Sequence, residues 1–211
     1  MVLSIAEIHR SKTGRRVFWW LLFLLPLLPL AWIVHKAVVQ DLGADPAQTI
    51  VTFLGLWTLR FLLITLAVTP CRRLFGWMWV QRYRRMYGLY TLFYACLHLL
   101  SFATFILGWR ADLIARELSE RPYIIVGFIA WLGLVALGIT STRGWVRRLG
   151  KHWQQLHYLV YPVAILAMIH FAWLIRAGYG QVLLYALILL LLLGYRVAYR
   201  LRRQQRLVQS H

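Results

Sequence analysis

Acidic residues are scarce. Six Asp+Glu stand against 24 Lys+Arg in 211 residues, and none of the six lies within a long apolar run. A carboxylate proton relay through a membrane is thereby excluded. Cysteine is nearly absent: Cys71 and Cys96 are isolated, with no C-x-x-C pair and no C-x-x-C-H. That excludes a disulfide scaffold. The one G-x-G, Gly178–Tyr179–Gly180, does not continue into a dinucleotide-binding pattern, and no P-loop occurs. Charged residues make up only 14% of the chain, roughly half the share of a globular domain.

Hydrophobic residues reach 61% and mean hydropathy is +0.64. A span of lipid needs about 20 apolar residues of helix, and six stretches qualify. They are Val17–Val34, Thr49–Thr69, Met86–Trp109, Pro122–Thr142, Trp153–Ile175 and Ala177–Tyr195. Leu-rich runs of this length are helices, because lipid offers backbone groups no outside partner. The fold class expected is an all-α six-span bundle over residues 17–195, between a basic arm (1–16) and a basic tail (196–211). The last two spans meet in a short turn around Arg176–Gln181. The loops Pro70–Arg85 and His35–Gln48 are the longest and have no room for a soluble domain. The first span is longer than a signal-peptide core and lacks an A-x-A site, so it is expected to be retained.

Charge orients the bundle. Eighteen of the basic residues fall in the amino-terminal arm, the loops between spans two and three and between four and five, and the tail, with Glu7 the sole acid there. The opposite loops balance Lys36, Arg110, Arg116, Arg121 and Arg176 against Asp41, Asp45, Asp112, Glu117 and Glu120. The positive-inside rule then puts both termini in the cytoplasm. The net charge of +18 is a topology signal, and nothing supports a nucleic-acid partner.

Three of the seven histidines, His98, His157 and His170, lie within spans, where ionisable side chains are costly and usually functional. His9 and His211 are terminal, and His35 and His152 sit at span edges. A neutral imidazole is a good metal ligand, and two on different helices can grip one haem from both faces, making an electron carrier. By helix rise His98 lies about 15 Å into its span, His157 about 6 Å and His170 about 26 Å. These depths leave the pairing open. Pro162, between His157 and His170, can kink the fifth span and change their relative direction.

The stretch Leu149-Gly150-Lys151-His152-Trp153-Gln154-Gln155-Leu156-His157-Tyr158-Leu159-Val160-Tyr161, followed by His170, closely resembles the MsrQ family. That family comprises haem-binding membrane subunits of the periplasmic methionine-sulfoxide reductase system, within the ferric-reductase-like transmembrane superfamily. Arg84-Arg85-Met86-Tyr87-Gly88-Leu89 leading to Leu97-His98-Leu99 fits it too, as do Leu42-Gly43-Ala44-Asp45-Pro46 and Arg121-Pro122-Tyr123. The resemblance implies His98 and His170 as axial ligands of a haem b, with His157 serving a second haem or an alternative ligation. Larger relatives carry an earlier histidine on the third span, where this chain has Arg84 or Arg85.

The resemblance further implies a multi-pass protein of the bacterial inner membrane. It would take electrons from the quinone pool or a cytoplasmic flavin reductase, with FMN as an associated cofactor. It would pass them to a periplasmic molybdopterin-containing methionine-sulfoxide reductase that repairs oxidised proteins. The chain itself would not reduce the sulfoxide. The alternative is a transmembrane haem reductase for another acceptor such as ferric iron.

Arg60 is the one charge in mid-span, and a buried guanidinium needs an acceptor. A haem propionate would match its fork. Backbone carbonyls in a wet gap would also serve, and a quinone oxygen or flavin phosphate is a third partner.

Overall fold

The computed structural model describes residues 12–175 and 178–209. Glu7, His9, Arg176, Ala177 and His211 of the sequence analysis lie outside the described residues. Everything regular among the described residues is helical. Six helices are long and apolar enough to cross a membrane: Lys12–Val38, Pro46–Leu74, Met78–Ile106, Pro122–Ile139, Lys151–Leu174 and Gly180–Gln205. The expected count of six spans therefore holds.

Several span ends differ from expectation. The second helix runs through Pro70 to Leu74, and a tight 3-10 turn at Met78–Tyr83 already opens the third span. The loop expected over Pro70–Arg85 shrinks to residues 75–77. Pro70 has no N–H to offer the carbonyl of Leu66, four residues back. The buried Arg196 supplies the missing donor: its Nη2 bonds Leu66 O, and its Nη1 bonds Leu192 O at 2.7 Å. Arg196, expected in the tail, thus sits inside the sixth helix, which runs on to Gln209.

The fifth span breaks as Pro162 suggested. Helix Lys151–His157 ends, Tyr158 and Leu159 form a turn, and a second helix runs Val160–Leu174. His157 and His170 therefore belong to different helical segments. The first span carries its own break, a 3-10 turn at Leu25–Leu27. Tyr94 of the third span bridges it, donating to Pro26 O at 2.6 Å and accepting from Leu30 N at 3.2 Å. Its phenol replaces the helical bond that Leu30 N–H would make to Pro26 O.

The second span is the most buried of the six. Its Leu59, Leu62, Leu63 and Leu66 meet Ala95 of the third span, Leu134 and Leu137 of the fourth, and Val163, Ala164 and Met168 of the fifth. One face of the bundle carries the connections around residues 39–45 and 107–121, and the other carries 75–77 and 140–150. An amphipathic helix, Ala111–Glu120, lies on the first of these faces.

Candidate functional site

The structure brings His98 and His170 together. Their ring centres are 6.2 Å apart, with the ring planes at 77°. The expected depths were unequal because the third span was started at Met86. Started at Met78, it places His98 twenty residues in, matching the nineteen that separate His170 from Lys151. Both histidines lie near the end of the bundle that carries residues 107–121.

Each ring is held by a backbone carbonyl of a neighbouring span. His98 Nδ1 lies 2.8 Å from Val51 O, and His170 Nδ1 lies 2.7 Å from Tyr123 O. A carbonyl only accepts, so Nδ1 carries the proton in both rings and Nε2 keeps its lone pair. Among the described residues neither Nε2 has a hydrogen-bond partner. Two imidazoles ligating one metal ion from opposite sides, each at about 2 Å through nitrogen, have ring centres about 6 Å apart. The observed spacing and tautomer fit that arrangement.

Two glycines let the rings sit where they do. A Cβ on Gly55 of the second span would come within 3.0 Å of His98 Cε1 and Nδ1, and one on Gly127 of the fourth within 2.6 Å of His170 Nδ1. Each histidine thus packs flat against a helix backbone while bonding a carbonyl one turn away. Sequence reasoning missed Gly55 and Gly127, whose only signal was a glycine inside an apolar span. It also missed Val51 and Tyr123, which act through main-chain atoms and carry no residue-type signal.

His157 is not part of this pair. It stacks on Trp153 with ring centres 4.0 Å apart, and its Nε2 lies 3.3 Å from Thr140 Oγ1. Trp153 Nε1 in turn donates to Thr140 O at 2.9 Å. The guanidinium of Arg84 stands near enough to act on His157 electrostatically. Among the described residues no cluster of three or more His, Cys, Asp or Glu forms. Cys71 and Cys96 are free and separate.

Arg60 lies apart as well. Its Nε donates to Tyr185 OH at 2.8 Å, and its guanidinium lies over the Trp57 ring at 4.7 Å. At 100° per residue, Val51 and Gly55 lie about 180° and 140° from Arg60 around the second span. The histidine pair and Arg60 therefore occupy opposite faces of one helix.

The family model described as ferric reductase like transmembrane component matches residues 52–168. A curated protein of Xanthomonas euvesicatoria pv. vesicatoria is 51% identical over 166 residues, covering 79% of this chain and 76% of that one. It is named protein-methionine-sulfoxide reductase heme-binding subunit MsrQ. The chain belongs to the MsrQ family. A protein of the same name from Azospira oryzae is 45% identical over 183 residues, 86% of this chain and 78% of that one. No solved structure matches significantly. The match runs from the second helix into the fifth, so His98, His157 and both supporting glycines lie within it, while Val51 and His170 fall just outside its ends.

Proposed function

We propose that this MsrQ-family chain is the membrane electron-transfer subunit of a methionine-sulfoxide reductase system, with one haem b held between His98 and His170. The observation that carries it is the His98–His170 pair itself: two imidazoles 6.2 Å apart with both Nδ1 atoms committed to carbonyls. A haem iron ligated by two imidazoles has no open position and exchanges single electrons, so it supplies electron transfer without substrate chemistry. The protein's part is orientation. Val51 O and Tyr123 O fix the tautomer, aim each Nε2 and raise its basicity as a ligand. Gly55 and Gly127 keep the second and fourth helices close behind the rings. His157, stacked on Trp153 and beside Arg84, is not a ligand of this haem.

The positive-inside rule places the end carrying residues 107–121 on the periplasmic side of the bacterial inner membrane, with both termini in the cytoplasm. The pair is then near the outer surface, where a periplasmic acceptor docks. That acceptor is a molybdopterin-containing subunit. It consumes two electrons and two protons to turn one methionine sulfoxide into methionine and water. The donor is the quinone pool or a flavin-linked reductase, with FMN an associated cofactor by resemblance.

The test mixes chemically reduced, haem-loaded protein with the periplasmic partner and methionine sulfoxide. The haem should reoxidise in step with methionine formation, two electrons per methionine. Haem that stays reduced there, yet is oxidised at once by a ferric chelate, would move the assignment to the ferric-iron reading.

A further inference from the structure

A lateral groove of about 860 Å³ opens between the first and second spans, within the usual size of a small-molecule site. Aromatic rings line it, from Trp32, Phe53, Trp57, Phe61 and Tyr87, and Arg60 is its one charged lining residue. Phe53, Trp57, Arg60 and Ile64 follow the i, i+4, i+7, i+11 stripe of a single helix face. Ile64 at 41% exposure, with Leu25 and Leu28 of the first span also exposed, leaves the groove open to lipid.

Arg60 stands fourteen residues from each end of the helix Pro46–Leu74, or about 21 Å by helix rise. A charge at that depth persists only with acceptors. Tyr185 OH takes Nε, and among the described residues the two terminal nitrogens have no protein acceptor. Trp57 Nε1 beside it is buried without a hydrogen-bond partner. Lipid phosphates do not reach mid-membrane, and acyl tails offer no acceptor there. The groove asks for a flat, apolar ring bearing an acceptor oxygen.

We propose that the groove seats the head group of a membrane-soluble quinone, with Arg60 donating to a ring carbonyl oxygen and the aromatic rings packing on its faces. The inference rests on the electron-carrier reading and places its membrane donor. Arg60 is joined to the histidine pair through protein contacts: Tyr185, its hydrogen-bond partner, packs against Phe171 at 6.0 Å, and Phe171 follows His170. The groove and the pair lie on opposite sides of the second helix, whose diameter is roughly 10 Å.

The experiment uses full-length, haem-loaded protein in nanodiscs and an azido-benzoquinone carrying a decyl tail, with decyl-benzoquinone as competitor. Photolabel should map to residues 25–32 and 53–64 and be competed away. Arg60→Leu should weaken competitor affinity about tenfold, the loss expected for one charge-assisted hydrogen bond, and Arg60→Lys should weaken it less. Ile64→Trp, which fills the groove from the lipid side and leaves Arg60 in place, should also abolish labelling. The haem spectrum should be unchanged in all three variants. Label elsewhere, affinity unchanged in Arg60→Leu and Ile64→Trp, or displacement by a long-chain fatty acid would overturn the site. So would loss of haem from Arg60→Leu with quinone affinity intact, which would assign Arg60 to a propionate. Absence of haem from the wild-type protein would instead defeat the electron-carrier reading, since labelling is read without it.

Discussion

At the residue scale the function turns on which ring nitrogen is free. Val51 O and Tyr123 O hold the Nδ1 protons of His98 and His170, and only that tautomer presents two lone pairs to a metal. The glycines behind the rings make a sharp test. Gly127→Ala places a methyl 2.6 Å from His170 Nδ1, so the ring must turn and its bond to Tyr123 O must break. Haem content of the purified variant should fall several-fold while the chain still inserts. Gly55→Ala, with its nearest ring atoms at 3.0 Å, should lose less haem and mainly shift the potential. Equal haem in Gly127→Ala and wild type, by pyridine haemochrome assay, would mean that His170 does not need this close approach. The sequence made the histidines visible because ionisable groups in apolar runs stand out. Carbonyl partners cannot be read that way, since every residue has one.

At the element scale, two prolines decide how helices end. Pro162 leaves the Tyr158 carbonyl without its N–H four residues on, and the fifth span breaks at Tyr158–Leu159. Pro70 raises the same problem at Leu66, but there the helix continues because Arg196 bonds the orphaned carbonyl from another span. The sequence alone suggested a helix end near Pro70, and it had no means to reveal a remedy supplied 130 residues later. Arg196→Met should cost about 1–3 kcal/mol of stability by leaving a buried carbonyl unpaired. Pro70→Ala restores the local N–H, so Arg196→Met in that background should cost measurably less. Unfolding in mixed micelles of the two single variants and the double reads the coupling directly. Additive losses would show that Arg196 acts through its packing on Tyr161 instead.

Across the whole molecule, hydropathy and charge carried most of the architecture. Lipid forces backbone groups into helices, so six apolar runs became six spans even where their ends were misplaced. Those misplaced ends mattered at the site. A third span begun at Met86 rather than Met78 left His98 too shallow to be matched with His170. The charge asymmetry predicts that reporter fusions at residue 211 and within residues 39–45 will report opposite sides of the membrane, the former cytoplasmic. A periplasmic carboxyl terminus would put the histidine pair at the inner surface and reverse the path proposed for electrons.

The most direct test is the reduced-minus-oxidised spectrum and haem count of the purified protein beside His98→Ala, His170→Ala and His157→Ala. The wild type should carry one low-spin haem b per chain. His98→Ala and His170→Ala should each lose it or turn high-spin, and His157→Ala should keep most of it, with at most a shifted potential. An unchanged low-spin haem in His98→Ala or His170→Ala, or its loss from His157→Ala alone, would contradict the pairing on which the account rests.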